Sequence, residues 1–293
     1  MKISYNEACA RDCSTLRQDL ELCEKAGFDF IEIRLDMLRK YLETGTAEEL
    51  RAFFDKSHLK PHAFNAVYLQ PNLLQEGEPD EENQAMKDFF LACETGRIIG
   101  SHEIIIVPPL DPSGIFTGDV ETAEEDCVRM LKKLSSLARP YGMKLCFELV
   151  GLRKSCVRSI EAADRIIRSV NEDNVGFVFD SYNIYLNGQC NQFDAIKKVD
   201  CHKIFAVHMM SADDVPEEEM GQDKRCFAGT GIVDTDGFLQ TLKSCGYEGM
   251  ISVETFRPQY WAQSPEWVVE QAYQTTFEAL KKNGCLETEK EGS

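Results

Sequence analysis

Met250-Ile251-Ser252-Val253-Glu254-Thr255-Phe256-Arg257-Pro258 decides how the rest of the chain is read. Two β-branched apolar residues, Ile251 and Val253, lead into a carboxylate, and an arginine and a proline follow. Proline cannot donate to a strand ladder, so the run predicts a buried strand halted at its C-terminal end. A glutamate placed there is solvated only where the strand end opens into a cleft. The same pattern recurs upstream in residues 144–148, 175–180 and 204–208, which end in Glu148, Asp180 and His208. Four apolar strands thus each end in a metal-ligating residue type, at intervals of 32, 28 and 46 residues.

Before these strands the chain alternates between two periodicities. Residues 2–6 predict a first strand, and residues 14–26 a helix with Ser14 as N-cap and Gly27 as stop. Residues 28–34 alternate strictly, with Glu32 and Arg34 on one face of a second strand. A capping-box pattern, Thr46 to Glu49, opens a helix over 46–56. A strand over 62–69 carries Asn65, a long helix covers 80–99, and a strand over 102–107 stops at Pro108-Pro109. A helix over 122–138 precedes the four ligand-bearing strands, which are separated by helical segments near 158–171, 191–199 and 234–245. A last helix runs over 265–282, and residues 285–293 read as a polar tail.

Eight strands, each followed by a helix-length segment, imply a parallel sheet with crossovers. Eight units within residues 1–284 match one closed α/β domain, a (β/α)8 TIM barrel. An open doubly wound sheet is the competitor, but it carries a glycine-rich nucleotide loop after its first strand, and none stands there. Gly229-Thr230-Gly231 lacks the third glycine and reads as a turn.

The chain has 293 residues, 43% hydrophobic and 28% charged, enough for a sizeable core. A net charge of −18 argues against a nucleic-acid partner and an acidic membrane surface, both of which need a basic footprint. No apolar run of about 18 residues is present, and the N-terminus lacks the apolar core of a secretory signal. Twelve scattered cysteines without a CxxC pair fit reduced thiols in a cytoplasm, with Cys127 and Cys146 as core fillers. Self-association is compatible with this sequence and not required by it.

Barrel enzymes build their chemistry at the C-terminal strand ends. Glu148, Asp180, His208 and Glu254 occupy the ends of strands five to eight, around one point. Three carboxylates without a cation repel and raise one another's pKa, and one divalent ion removes that cost. Three oxygens and an imidazole suit Mn²⁺, Mg²⁺, Co²⁺ or Zn²⁺ without choosing among them. The bland alternatives are surface carboxylates and a core histidine; each is a fair reading of one residue and a poor one of four in succession. His58, His62, His102 and His202 read as structural or surface residues. Asp213 and Asp214 are placed either to orient His208 or in a solvated loop. The Glu217-Glu218-Glu219 run reads as an exposed helix start, and Phe53-Phe54 and Phe89-Phe90 as core.

Several blocks resemble the sugar-isomerase group of the xylose-isomerase-like barrels: Asn6-Glu7-Ala8, residues 19–25, Ile31-Glu32-Ile33-Arg34, Lys60-Pro61, Asn65-Ala66, Glu148-Leu149-Val150-Gly151, Asn174-Val175-Gly176, residues 229–234 and residues 252–260. Within that group the likeness is greatest to the inosose (2-keto-myo-inositol) isomerases of inositol catabolism. The resemblance implies one divalent metal held by Glu148, Asp180, His208 and Glu254, and an acid/base pair made of Glu148 and Glu254. It also implies a substrate contact from Arg225. Arg257, Asn183, Glu32, Arg34 and Asn65 complete the candidate substrate contacts. Two positions depart from the pattern: Asn183 stands where the group has a histidine, and Leu152 where inosose isomerases have another. An amide hydrogen-bonds a hydroxyl but carries no proton near neutral pH.

The implied reaction is isomerisation or epimerisation of a polyhydroxy ketone, an inosose or a ketose, by proton transfer through a metal-stabilised enediolate. A dehydratase or ketose 3-epimerase on the same metal site is the alternative within enzymes. A metal- or sugar-binding barrel without catalysis is the alternative outside them. Nuclease action on abasic DNA wants a basic groove and more than the five histidines present.

Overall fold

The computed structural model describes residues 1–286. Eight parallel strands close into a barrel: β1 (Lys2–Asn6), β2 (Phe30–Arg34), β3 (Lys60–Tyr68), β4 (Glu103–Val107), β5 (Lys144–Glu148), β6 (Val175–Asp180), β7 (Ile204–His208) and β8 (Met250–Val253). Neighbours pair in chain order, and β1 closes the ring by pairing with β8, Tyr5 opposite Val253. The expected (β/α)8 architecture is therefore present. No helix among the described residues is long and apolar enough to cross a membrane.

Strand parity explains the two cores. Leu145 and Phe147 on β5, Phe177 and Phe179 on β6, and Val207 on β7 pack outward under the helices. Alternate residues, among them Ala63, Ile105, Cys146, Val178 and Ala206, fill the barrel interior. Glu148, Asp180 and His208 share the inward parity and end their strands, while Glu254 stands one residue past β8. Thus the alternation that buries Cys146, Val178 and Ala206 also aims three ligand-type side chains into the barrel mouth.

The helices are α1 (Leu16–Ala26), α2 (Leu35–Leu42), α3 (Ala47–Lys56), α4 (Gln84–Ile99), α5 (Val120–Ala138), α6 (Ile160–Val170), α7 (Ser181–Leu186), α8 (Thr235–Ser244), α9 (Pro258–Trp261) and α10 (Pro265–Lys282). The capping box of Thr46 and Glu49 opens α3. Caps also correct several expected starts. The Thr15 hydroxyl, not Ser14, accepts from Gln18 N and starts α1. Asn83 caps α4 four residues after the expected start, because residues 74–79 form a small hairpin, and Asp119 starts α5 two residues early. Residues 191–199 hold only a 3-10 turn, Asp194–Lys198; the helix after β6 is α7, capped by the Asp180 carboxylate itself. α2 was not expected, since it follows β2 without a turn signal.

Gly229 adopts φ +78°, and a Cβ on Gly231 would lie 2.1 Å from the Ala212 carbonyl oxygen, so both belong to a turn packed on backbone. Gly231→Ala is expected to destabilise the fold by about 1–3 kcal/mol, read as a lower urea midpoint at unchanged slope. Of the expected polar tail, residues 287–293 lie outside the described residues. Cys285 is buried, and its carbonyl accepts from the Met1 ammonium at 2.7 Å.

Glu7 and Asp19 are buried together beneath β1. Burial pushes the Asp19 carboxyl up to about 7, and burial with the Asp19 charge raises Glu7 further. A folded pKa above the unfolded value of about 3.9 favours the protonated form, so this contribution is full below about pH 4 and is lost as pH rises through 7. Asp19→Asn is expected to flatten the decline in urea midpoint between pH 4 and 8; an undiminished slope refutes the assignment.

Candidate active site

The ends of β5, β6 and β7 and the residue after β8 bring Glu148, Asp180, His208 and Glu254 together, all buried. One ligand atom from each lies within 4.8 Å of every other. His208 Nδ1 is at the centre, 3.5 Å from Glu254 Oε2, 3.7 Å from Glu148 Oε1 and 3.9 Å from Asp180 Oδ2. It has no hydrogen-bond partner despite full burial. Its other nitrogen, Nε2, lies 3.1 Å from both oxygens of Glu32. Glu32 accepts that Nε2–H, so that Nδ1, once it has lost its own proton, faces the three carboxylates as a metal ligand does.

The scaffold around the cluster orients the carboxylates. Asn6 Nδ2 and Asn65 Nδ2 both donate to Glu254 Oε1, at 3.1 and 3.0 Å, leaving Oε2 toward the centre. Asn183 N donates to Asp180 Oδ1 at 2.8 Å, leaving Oδ2 inward. Asn183 Nδ2 donates to Glu148 Oε1 at 3.0 Å. Arg225, 1% exposed, donates to Asp180 Oδ2 at 2.6 Å and stands 3.3 Å from Glu254 Oε2. Its guanidinium lies 5.0 Å from the Tyr182 ring and 5.7 Å from that of Phe256, and its Nε donates to Gln222.

Electrostatics agree with this geometry. Burial would raise Glu32, but the facing His208 outweighs it and holds the carboxyl down at about 2. Burial pushes Glu254 up to about 7, with Glu148 and Asp180 adding to it against His208 and Arg225. Burial opposes protonation of His208, yet Glu32, Glu254 and Glu148 raise its pKa well above the usual imidazole range. Without a metal, Arg225 and a protonated His208 are set against the carboxyl groups of Glu32, Glu148, Asp180 and Glu254, so the cluster is short of positive charge. A divalent ion fits that deficit, the orphaned Nδ1 and the ligand separations.

Of the six expected substrate contacts, the structure engages most with the protein itself. Glu32 is fully buried; it accepts from the Ser252 hydroxyl at 2.9 Å and orients His208, a task for which the sequence offers Asp213 and Asp214. Asn65 and Asn183 hold carboxylates. Arg257 does not reach the cluster: its Nη1 donates to Asp213 at 2.9 Å and lies 3.3 Å from the Arg225 carbonyl, securing the hairpin of residues 211–212 and 225–226. Arg34 chelates Asp36 through Nε and Nη2. Glu217–Glu219 form a 3-10 turn whose first two residues line the cleft.

A cleft of about 790 Å³ is lined by Gly151 and Phe256, close in the chain to Glu148 and Glu254, with Tyr68 and Trp261 among its other walls; the four ligand-type side chains themselves are buried beneath its lining. Asn6 and Ser252 were missed in the sequence. Their signal was available, since both share the inward parity of their strands; Trp261 had none. Glu32→Gln is expected to weaken metal affinity about 10- to 100-fold, measured by competition with a chromogenic chelator.

The xylose isomerase-like TIM barrel family model matches residues 20–275. Inosose isomerase of Halalkalibacterium halodurans is 35% identical over 291 residues, covering 99% of this chain and all of that protein. Inosose isomerase of Bacillus subtilis is 34% identical over 283 residues, 96% and 99% of the two chains. The crystal structure of IolI protein with a bound zinc atom superposes with a TM-score of 0.87 at 34% identity, covering 97% of this chain and 99% of that one. With a barrel of this topology, four ligand-type side chains converging at its mouth and a family match along most of its length, the chain belongs to the xylose isomerase-like TIM barrel family.

Proposed function

We propose that this chain is a divalent-metal-dependent isomerase of a polyhydroxy ketone, with an inosose as the leading substrate. The observation that carries the reading is the convergence of Glu148, Asp180, His208 and Glu254 around an unpartnered imidazole nitrogen, in a chain 34–35% identical to inosose isomerases along nearly its full length. Those four residues are the assigned metal ligands. The zinc in the IolI crystal structure makes Zn²⁺ one of the first ions to test, beside Mn²⁺, Mg²⁺ and Co²⁺. Bound there, the ion supplies Lewis acidity that makes a carbon next to a ketone acidic.

Glu254 and Glu148 are the assigned acid/base pair. Asn6 and Asn65 fix the Glu254 carboxylate through Oε1, which orients the group that takes a proton from carbon and returns it. A carboxyl that burial has lifted to about 7 exchanges a proton near neutrality without a large penalty. Asn183 holds Glu148 for transfer at the neighbouring carbon, and cannot itself relay a proton. Arg225 holds Asp180 in place; its burial makes it a positioning residue. Tyr68, Phe256 and Trp261 offer apolar faces to a ring and limit the water that reaches it.

The test is deuterium incorporation from D₂O, detected by mass spectrometry, with each of the four metals and a panel of inososes and ketohexoses. Incorporation at the carbon beside the ketone of an inosose is expected. Incorporation only into ketohexoses moves the reading to a ketose 3-epimerase, and none into any substrate overturns it.

A further inference from the structure

Loop 149–158 links the cluster to the mouth of the cleft. Gly151 N donates to Asn183 Oδ1 at 3.2 Å, and Asn183 holds Glu148. Farther out, the loop is clamped by its neighbour: Asp111 N donates to the Lys154 carbonyl at 2.8 Å, and Phe116 N to the Arg153 carbonyl at 2.9 Å. Arg158 Nε closes it by donating to the Gly151 carbonyl at 2.9 Å. Thus a hydrogen-bonded backbone carries Arg153 and Lys154 to the cleft wall, so binding there has no loop to order.

Those two side chains stand out by what they lack. The chain has 50 acidic and 32 basic residues, and many of its exposed bases are paired. Among the described residues no side-chain hydrogen bond or ion pair involves Arg153 or Lys154. The acids of the same cleft are in part committed elsewhere: Glu217 lies 3.8 Å from Arg158, and Asp223 pairs with Lys224 at 2.7 Å. Adjacent unpaired cations at a cleft mouth draw in an anion against the repulsion of a −18 protein. The cleft, about 790 Å³, also has room for more than one six-membered ring.

We propose that Arg153 and Lys154 form an anion subsite at the cleft wall, and that the site prefers, over a neutral inosose, an inosose-like polyhydroxy ketone bearing a phosphate or carboxylate group. This rests on the isomerase reading above. The ketone end enters toward Glu148 and Glu254, and the anionic oxygens remain at the rim between the two cations.

The experiment compares an inosose, a phosphate monoester of the same inosose and a carboxylated polyhydroxycyclohexanone in the deuterium-incorporation assay. It uses the metal-loaded wild type and the R153S/K154S variant, at low and high salt. The expected result is a kcat/KM for one of the anionic substrates above that for the neutral one. That ratio should drop about tenfold in the variant and shrink with salt. Whether the phosphate or the carboxylate arm shows it identifies the group. A ratio at or below one, or one the variant leaves unchanged, overturns the subsite while neutral exchange upholds the isomerase. If no ketone exchanges, the isomerase reading fails, and ³¹P line broadening of inorganic phosphate decides the subsite alone: broadening lost in the variant supports it, and broadening that persists or never occurs refutes it.

Discussion

Glu254→Gln is expected to lower deuterium incorporation into an inosose by about 10³-fold at saturating metal, the usual scale for removing a positioned base. The amide keeps the shape of the side chain and its contacts with Asn6 and Asn65, so folding is little affected. It cannot accept a proton from carbon. Saturating metal separates this loss from the weaker binding that a neutral ligand brings. The pH profile adds a second readout: wild-type exchange should rise with an apparent pKa that the variant lacks. Unchanged exchange in Glu254→Gln at full metal occupancy would sink the base assignment, and Glu148→Gln then tests the other member of the pair.

Replacing His208 with alanine should have the other large effect, on two properties at once. Four ligands sharing about 10–16 kcal/mol imply that losing one costs about 10²- to 10³-fold in metal affinity, measurable by chelator competition. Stability should also fall by about 3–5 kcal/mol, because Glu32 stays buried with only Asn65 and Ser252 as partners and without the His208 that offset its burial. Adding Glu32→Gln removes that stranded carboxyl. The double variant should therefore recover part of the stability while metal affinity stays low. If His208→Ala binds metal as tightly as the wild type, the ligand set is wrong. If the double variant is less stable than His208→Ala alone, the orienting role of Glu32 is wrong.

Inward and outward residues on a strand alternate because of local backbone geometry, so the run 144–148 shows in the sequence that Cys146 and Glu148 share a face. The same reasoning locates Asp180 and His208. Where local chemistry competes, the sequence misleads. Thr15 and Ser14 are both good caps, and the structure has Thr15 in that place, accepting from Gln18 N. Arg257 beside Glu254 reads as an active-site cation, yet a residue after a strand end is steered by the loop that follows. Here that loop delivers it to Asp213.

By itself the sequence determined the alternation of strands and helices, the order of the strand ends and the four residue types that terminate β5 to β8, because these depend on periodicities within a few residues. Only the tertiary structure decided which side chains hold those four in place. Asn6 and Glu254 are 248 positions apart, Glu32 and His208 are 176 apart, and Arg225 and Asp180 are 45 apart. Pairings of that range exist only once the barrel closes and sets every inward residue against the opposite wall.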